Sequence, residues 1–378
     1  MGGAARSLSR EPRYKLNAVC PYYTMFPLEF PLTILRQAPK GLVVFDPFCG
    51  RGTTNFAAQT LGIKSYGYDS SPIAVAIAKA KLAKTSASEV LSLMEEILET
   101  DIDPEVPQSE FWAWAFHTET LRAISKLRQG LMDSPESDAS IMLRAIVMGC
   151  LHGPLNKVVT NPSYFSNQMP RTFASKPDYS VRYWKCKKLK PRQIDVRIPI
   201  RKKVALVLGG SNDSLSKFRN IQCADSRQYS NYRSIKEPID LVITSPPYYG
   251  MRTYVQDQWL RYWFIGGPPS VAYEATDQVA HLSPADFSVS LCRVWDNIYN
   301  KASEQVRMVI RFGGLSSRRA DYDEIFRDSL EQSAADWYVY YSRNAGSASK
   351  GRRQADVMGG RTTTRAIEER DYFIRLYS

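Results

Sequence analysis

The chain has 378 residues, 44% of them hydrophobic, and 50 Lys and Arg against 38 Asp and Glu, for a net charge of +12. That balance excludes a disordered polyelectrolyte, and the lack of any run of about 18 apolar residues excludes a membrane-spanning helix. No charged-then-apolar start marks a secretory leader, so a reducing cytoplasm is the expected compartment.

Length alone suggests two to three units, or one large domain with an insertion. The cysteines, Cys20, Cys49, Cys150, Cys186, Cys223 and Cys292, form no C-x-x-C pair. The three histidines, His117, His152 and His281, do not cluster. Neither a metal site nor a disulfide framework is indicated.

In chain order, residues 1–13 read as a small, polar, basic tail. A β-branched and aromatic run over 41–45 predicts a buried strand ending at Asp46. A helix is expected over 55–61, a second strand over 64–68 ending in Asp69, and a helix over 74–82 opened by Ser70, Ser71 and Pro72. Strand–helix–strand–helix predicts a parallel sheet. Residues 86–155 show helical spacing, whereas 156–203 are Pro-rich, aromatic and basic, with little periodicity. Further strands are expected over 221–225, 240–244, 306–312, 337–341 and 372–377. Helices are expected over 286–300 and 322–332, and a Gly/Ser/Arg-rich loop over 344–365.

Two motifs carry chemistry. Asp46-Pro47-Phe48-Cys49-Gly50-Arg51-Gly52-Thr53-Thr54 joins a strand to a helix, where open α/β sheets bind ligands. Gly50 and Gly52 let a ligand approach the backbone. The third glycine of a dinucleotide fingerprint is replaced by Asn55, and no Gly-Lys-Ser/Thr follows, so the loop suits a nucleoside lacking a pyrophosphate. Asp69, at the next strand end, is placed to bind a ribose diol. S-adenosyl-L-methionine fits this arrangement, with its cationic end near Asp46. The second motif, Ser245-Pro246-Pro247-Tyr248, ends another apolar strand. Its prolines stiffen the turn and leave carbonyls as acceptors. Such acceptors draw an exocyclic amine toward tetrahedral geometry and free its lone pair, and Tyr248 offers a ring for stacking. A duplex base reaches such a site only by flipping out.

Together the motifs resemble those of the DNA amino-methyltransferases, which modify cytosine N4 or adenine N6. The family's D-P-F-x-G-x-G-T is matched from Asp46 to Thr53, and its tetrapeptide from Ser245 to Tyr248. The resemblance implies a Rossmann-like class I methyltransferase fold of the α/β class, with a mostly parallel seven-stranded sheet. It implies catalytic roles for Ser245, Pro246, Pro247 and Tyr248. It implies cofactor contacts at Phe26, Pro27, Asp46, Pro47, Phe48, Gly50, Gly52, Thr53, Thr54, Asp69, Ser70, Asp225 and Ser226. The serine tetrapeptide is commoner among cytosine-N4 enzymes, so that activity is expected, with adenine-N6 as the alternative. An RNA amino-methyltransferase or a non-catalytic DNA-binding subunit fits less well. C5 methylation needs a thiolate, usually in Pro-Cys, and the sequence has no such dipeptide. Double-stranded DNA is the implied partner, with a cognate restriction enzyme as an optional one.

More residues separate Asp69 from Asp225 than the family's core usually has. The expected division is a catalytic domain of 1–85 and 205–378 and an inserted helical plus basic and aromatic target-recognition region over 86–204. From Arg182 to Lys203 there are ten basic residues and one acid, a balance of +9. Arg171, Lys176, Arg182, Trp184, Lys185, Lys187, Lys188 and Arg192 are the expected DNA contacts, interleaved with Tyr164, Phe165, Phe173, Tyr179 and Tyr183.

Overall fold

The apolar run ahead of Asp46 forms strand β1, Val43–Asp46, with all four residues buried. It stands in a computed structural model that describes residues 11–22, 26–154, 161–169, 176–209, 220–249, 258–271, 283–314, 320–347 and 368–377. The other strands are β2 (Lys64–Asp69), β3 (His152–Pro154), β4 (Ser166–Met169), β5 (Asn220–Cys223), β6 (Ile239–Thr244), β7 (Ala302–Gly313), β8 (Trp337–Ser347) and β9 (Glu368–Leu376). Seven of them form one sheet in the order β5-β2-β1-β6-β7-β9-β8. Its first five strands run parallel, and β9 lies antiparallel to both neighbours. Strand order reverses at β1, between β2 and β6, which is where an open α/β sheet takes its ligand. This is the Rossmann-like fold of class I methyltransferases.

Contacts divide the chain into two units. One comprises 22–78, 215–253 and 277–378 and holds the whole seven-stranded sheet. Helices Pro284–Tyr299 and Tyr322–Glu331 bury Phe287, Leu291, Trp295, Ile298, Phe326 and Leu330 in one core with Met308, Ile310, Phe312, Tyr372 and Ile374.

The second unit comprises 1–21, 79–214 and 254–276. Its helices Ala87–Glu99 and Asp138–Cys150 each open on a capping box, at Ser86 and Ser137. Its boundaries differ from the expected 86–204, because two other segments join it. Arg261, on helix Trp259–Phe264, is buried, and its guanidinium donates to Met148 O (3.3 Å), Pro21 O (2.7 Å) and Gln258 Oε1 (2.8 Å). Trp112 Nε1 donates to Pro269 O at 3.1 Å, and Trp259 and Trp263 pack on Phe111 and Trp112. Of the expected tail, residues 1–10 lie outside the described residues. Pro12–Ala18 forms a 3-10 helix that buries Tyr14 and Leu16.

The stretch 156–203 is more regular than its sequence suggested. Helix Pro177–Cys186 buries Ser180, Val181 and Trp184, and helix Arg197–Leu208 buries Pro199, Ile200, Val204, Val207 and Leu208. Interleaved Lys and Arg dilute both apolar stripes, so the period is hard to read. Most of the 344–365 loop lies outside the described residues, and Asn344 to Ser347 extend β8. Among the described residues no helix is long and apolar enough to cross a membrane.

Candidate active site

The first loop is held in shape from beneath. Gly50 and Gly52 take left-handed φ of 51° and 68°. A Cβ on Gly52 would stand 2.8 Å from the Ala78 Cβ, so both conformation and space require glycine there. Gly52 caps helix Thr53–Thr60, which starts two residues earlier than expected. Asp69 fixes the loop from the neighbouring strand. Its Oδ2 accepts from Gly50 N at 2.9 Å and its Oδ1 from Ser71 N at 2.8 Å. Each oxygen keeps a lone pair for a ribose hydroxyl.

Asp46 is fully buried. Its Oδ1 accepts from the Thr244 hydroxyl at 2.6 Å and from Phe48 N at 3.2 Å. Its Oδ2 is buried with no hydrogen-bond partner among the described residues. Burial pushes the Asp46 carboxyl up to about 7, against the Thr244, Thr54 and Phe48 contacts that favour the ionised form, and the charge of Asp69 adds to the rise. Burial likewise raises Asp69 to about 6, opposed by the Ser71 and Gly50 amides. A buried oxygen without a partner, beside a glycine-lined turn, suits a ligand cation.

The second motif stands beside the first. β1 and β6 pair in parallel, with Val44 opposite Leu241 and Phe45 opposite Val242. The Thr54 hydroxyl donates to Ile243 O at 3.1 Å, which ties the first loop's helix to β6. Ser245 and Pro247 are half-buried and Pro246 is buried. Tyr248 departs from its expected role as a stacking face. It is 5% exposed, its ring edge meets Phe312 at 5.6 Å, and its hydroxyl donates to Glu369 Oε1 at 2.6 Å. The aromatic core under the sheet claims this ring, while the half-buried Tyr249 follows it.

Of the remaining cofactor candidates, Ser226 touches the loop. Ser226 donates to Pro47 O at 2.5 Å, and its own carbonyl accepts from Tyr232 and Asn297, each at 3.0 Å. Arg227 binds Asp225 bidentately, Nε donating to Oδ1 at 2.9 Å and Nη2 to Oδ2 at 2.7 Å. Partial burial would raise Asp225, but the Arg227 hydrogen bonds and charge hold it below the ordinary carboxylate range. The Phe26 ring packs edge-on against Phe30 at 5.1 Å, Pro27 is exposed and its carbonyl accepts from Phe30 N, and Ser70 is exposed. Phe48 packs on the core, and Thr53 is buried. Sequence reading missed Thr244, Arg227, Asn297 and Glu369. Thr244 and Arg227 adjoin the motifs and could have been found there. Glu369 lies 121 residues from Tyr248, and no local signal connects them.

Of the expected nucleic-acid contacts, Lys176, Arg182, Lys185, Lys187, Lys188 and Arg192 are exposed on or beside helix Pro177–Cys186. Tyr179 is exposed and stacks on Tyr183 at 6.5 Å. Trp184 is corrected. It is fully buried against Phe111, 5.5 Å between centroids, because it anchors the helix. Phe165 is buried too and Tyr164 half-buried, while Arg171 and Phe173 lie outside the described residues. Among the described residues no group of three or more His, Cys, Asp or Glu is placed to hold a metal ion.

Residues 6–80 match the family described as DNA methylase, a span covering the glycine loop and Asp69 but ending before the tetrapeptide. That match covers the first loop alone, and the sheet order and the two adjoining loops agree with the resemblance to S-adenosylmethionine-dependent amino-methyltransferases. Solved structures similar to the chain include the rRNA methyltransferase aviRa of Streptomyces viridochromogenes, at 12% identity and TM-score 0.33, over 97% of this chain and 93% of that one. A SAM-dependent methyltransferase of Agrobacterium tumefaciens matches at 11% identity and TM-score 0.32, over 93% of this chain and 62% of that one. Likeness this distant leaves the fold to be argued from the sheet itself. No curated protein matches the chain.

Proposed function

We propose that the chain methylates the exocyclic N4 amine of cytosine in double-stranded DNA, acting on a flipped-out base. The observation that carries this reading is the 2.6 Å contact between Thr244 and Asp46, which sets the cofactor loop and the tetrapeptide on neighbouring strand ends. S-adenosylmethionine supplies a methyl group on a positively charged sulfur.

The chain's residues do the rest. Asp46 offers a buried carboxylate to the cofactor's cationic end, Asp69 offers its free lone pairs to the ribose, and Asp225, held by Arg227, is assigned through the resemblance to the adenine amine. Ser245 and the Pro246 carbonyl accept from the two amine hydrogens, which localises the nitrogen lone pair. Positioning and electrostatics supply most of the rate, and no covalent nucleophile is required. The exposed lysines and arginines of helix Pro177–Cys186 neutralise phosphates, with Tyr179 and Tyr183 beside them.

The serine at the head of the tetrapeptide favours cytosine over adenine through the resemblance. The test is incubation with methyl-labelled cofactor and plasmid DNA, hydrolysis to nucleosides, chromatography, and base-resolution sequencing. N4-methylcytosine at a fixed sequence is expected. N6-methyladenine would replace the base assignment, and label in RNA but not in DNA would overturn the substrate.

A further inference from the structure

The sheet ends in an edge whose outer face is aromatic and cationic. On β9, Tyr372 and Ile374 enter the core, so Phe373 and Arg375 occupy the alternate face. Across β8 the register breaks between Val339 and Tyr341, leaving Tyr340 as the extra residue of a bulge. The bulge brings two consecutive tyrosines to one side. Tyr340 lies 6.4 Å and Tyr341 5.3 Å from the Phe373 ring, and they are 45% and 52% exposed. A regular strand would have sent one of them inward.

Charge follows the same face. Arg375 lies over the rings of Tyr338 and Tyr340, at 5.0 and 5.3 Å, and pairs in register with the exposed Arg307. Two like charges opposite each other on neighbouring strands are unfavourable unless an anion lies between them. Of the two acids of that row, Glu369 is buried and bound by Tyr248, and Asp371 is buried and bound by Arg311 and Arg343. The free balance of the patch is positive.

We propose that this bulged face docks single-stranded DNA, with Tyr340 and Tyr341 stacking on unpaired bases and Arg307 and Arg375 meeting phosphates. The inference rests on the DNA reading above and adds to the duplex target a second contact, with an unpaired stretch of the same DNA. Exposed ring faces reward unpaired bases, because a duplex already occupies both faces of each base. A second copy of the chain is the poorer occupant, since a two-fold contact would set arginines against arginines. Glu369, which binds Tyr248 of the tetrapeptide, is six residues from Arg375 along β9, about 20 Å in an extended strand. Unpaired DNA on the patch therefore lies within a few nucleotides' reach of the tetrapeptide.

The test is fluorescence anisotropy of the full chain with labelled oligothymidine, a duplex of equal length, and oligouridine. Replacing Tyr340→Ala and Tyr341→Ala together should weaken oligothymidine binding about tenfold or more and leave duplex binding within about twofold. The paired Tyr→Phe changes should preserve it. Arg307→Gln with Arg375→Gln should flatten the salt dependence by about 1.4 in log–log slope. Tyr341→Ser alone gives the same readout should the double variant not fold. Unchanged oligothymidine affinity in the alanine variant, no binding by the unmodified chain, tighter binding of oligouridine, or a change of oligomeric mass on mutation would each overturn the proposal. Methyl transfer to plasmid is read in parallel. Its absence counts against the DNA reading itself, whereas its presence with unaltered oligothymidine binding removes only this surface.

Discussion

The Thr244 hydroxyl donates to Asp46 Oδ1 at 2.6 Å, across the point where β1 and β6 end side by side. The bond fixes the carboxylate that a cationic cofactor needs and holds it one residue from the tetrapeptide. Burial nonetheless pushes the Asp46 carboxyl up to about 7, against the Thr244 bond, which favours the ionised form. A bound cation favours the ionised form. Cofactor affinity should therefore rise with pH and level off above about 7, falling about tenfold for each pH unit below it. Calorimetry near pH 6.5 in buffers of different ionisation enthalpy should register proton release. A flat affinity from pH 5.5 to 8 would remove Asp46 from the cation site.

The same carboxylate makes the free protein pH-sensitive. Its folded pKa lies above its unfolded value of 3.8, so its contribution to stability is full below about pH 4 and is lost as pH rises through about 7. Asp46→Asn should erase that loss. At pH 8 the variant should melt higher, by roughly 2–4 °C for each kcal/mol relieved, while cofactor binding disappears. Thermal scans of both chains from pH 4 to 8 check the sign.

Gly52→Ala should impair both folding and cofactor uptake. Its Cβ would meet Ala78 at 2.8 Å in a backbone at φ 68°. A left-handed alanine plus a tight contact costs about 1–3 kcal/mol. Gly50→Ala, with nothing within 4 Å of its added Cβ, should cost less stability. Equal melting temperatures for the two variants would contradict this ordering.

Within the tetrapeptide, Ser245→Ala should lower kcat with little change in DNA affinity, because the hydroxyl is assigned to the target amine. Tyr248→Phe should act differently. It leaves the buried Glu369 without its 2.6 Å donor, costing about 1–3 kcal/mol of stability. Unchanged turnover in Ser245→Ala would remove the catalytic assignment.

Neutralising Lys185, Lys187 and Lys188 to Gln should flatten log K against log[salt] for duplex DNA by about 0.9 per lysine that meets a phosphate. Lys185 pairs with Glu110 on a neighbouring helix, so its share should be the smallest. An unaltered slope would place the DNA elsewhere.

Much of this site was legible in the sequence because its parts are local. The strand-to-loop transition at Asp46, the left-handed glycines and the two prolines after Ser245 each depend on a few neighbouring residues. Periodicity marked all seven strands of the main sheet, although β8 runs to Ser347 where the pattern faded at Tyr341. That fading has a cause in the bulge at Tyr340, which breaks the alternation a strand normally shows.

What the sequence alone determined was the pair of loops, the strands that carry them and the methyl donor they suit, since these follow from short-range chemistry. Only the tertiary structure decided that Tyr248 turns into the core to meet Glu369, that Trp184 anchors a helix, and that Arg261 gathers three distant segments into one unit. Each of those outcomes depends on which surfaces burial brings together, and partners 73 to 240 residues apart leave no mark in local pattern.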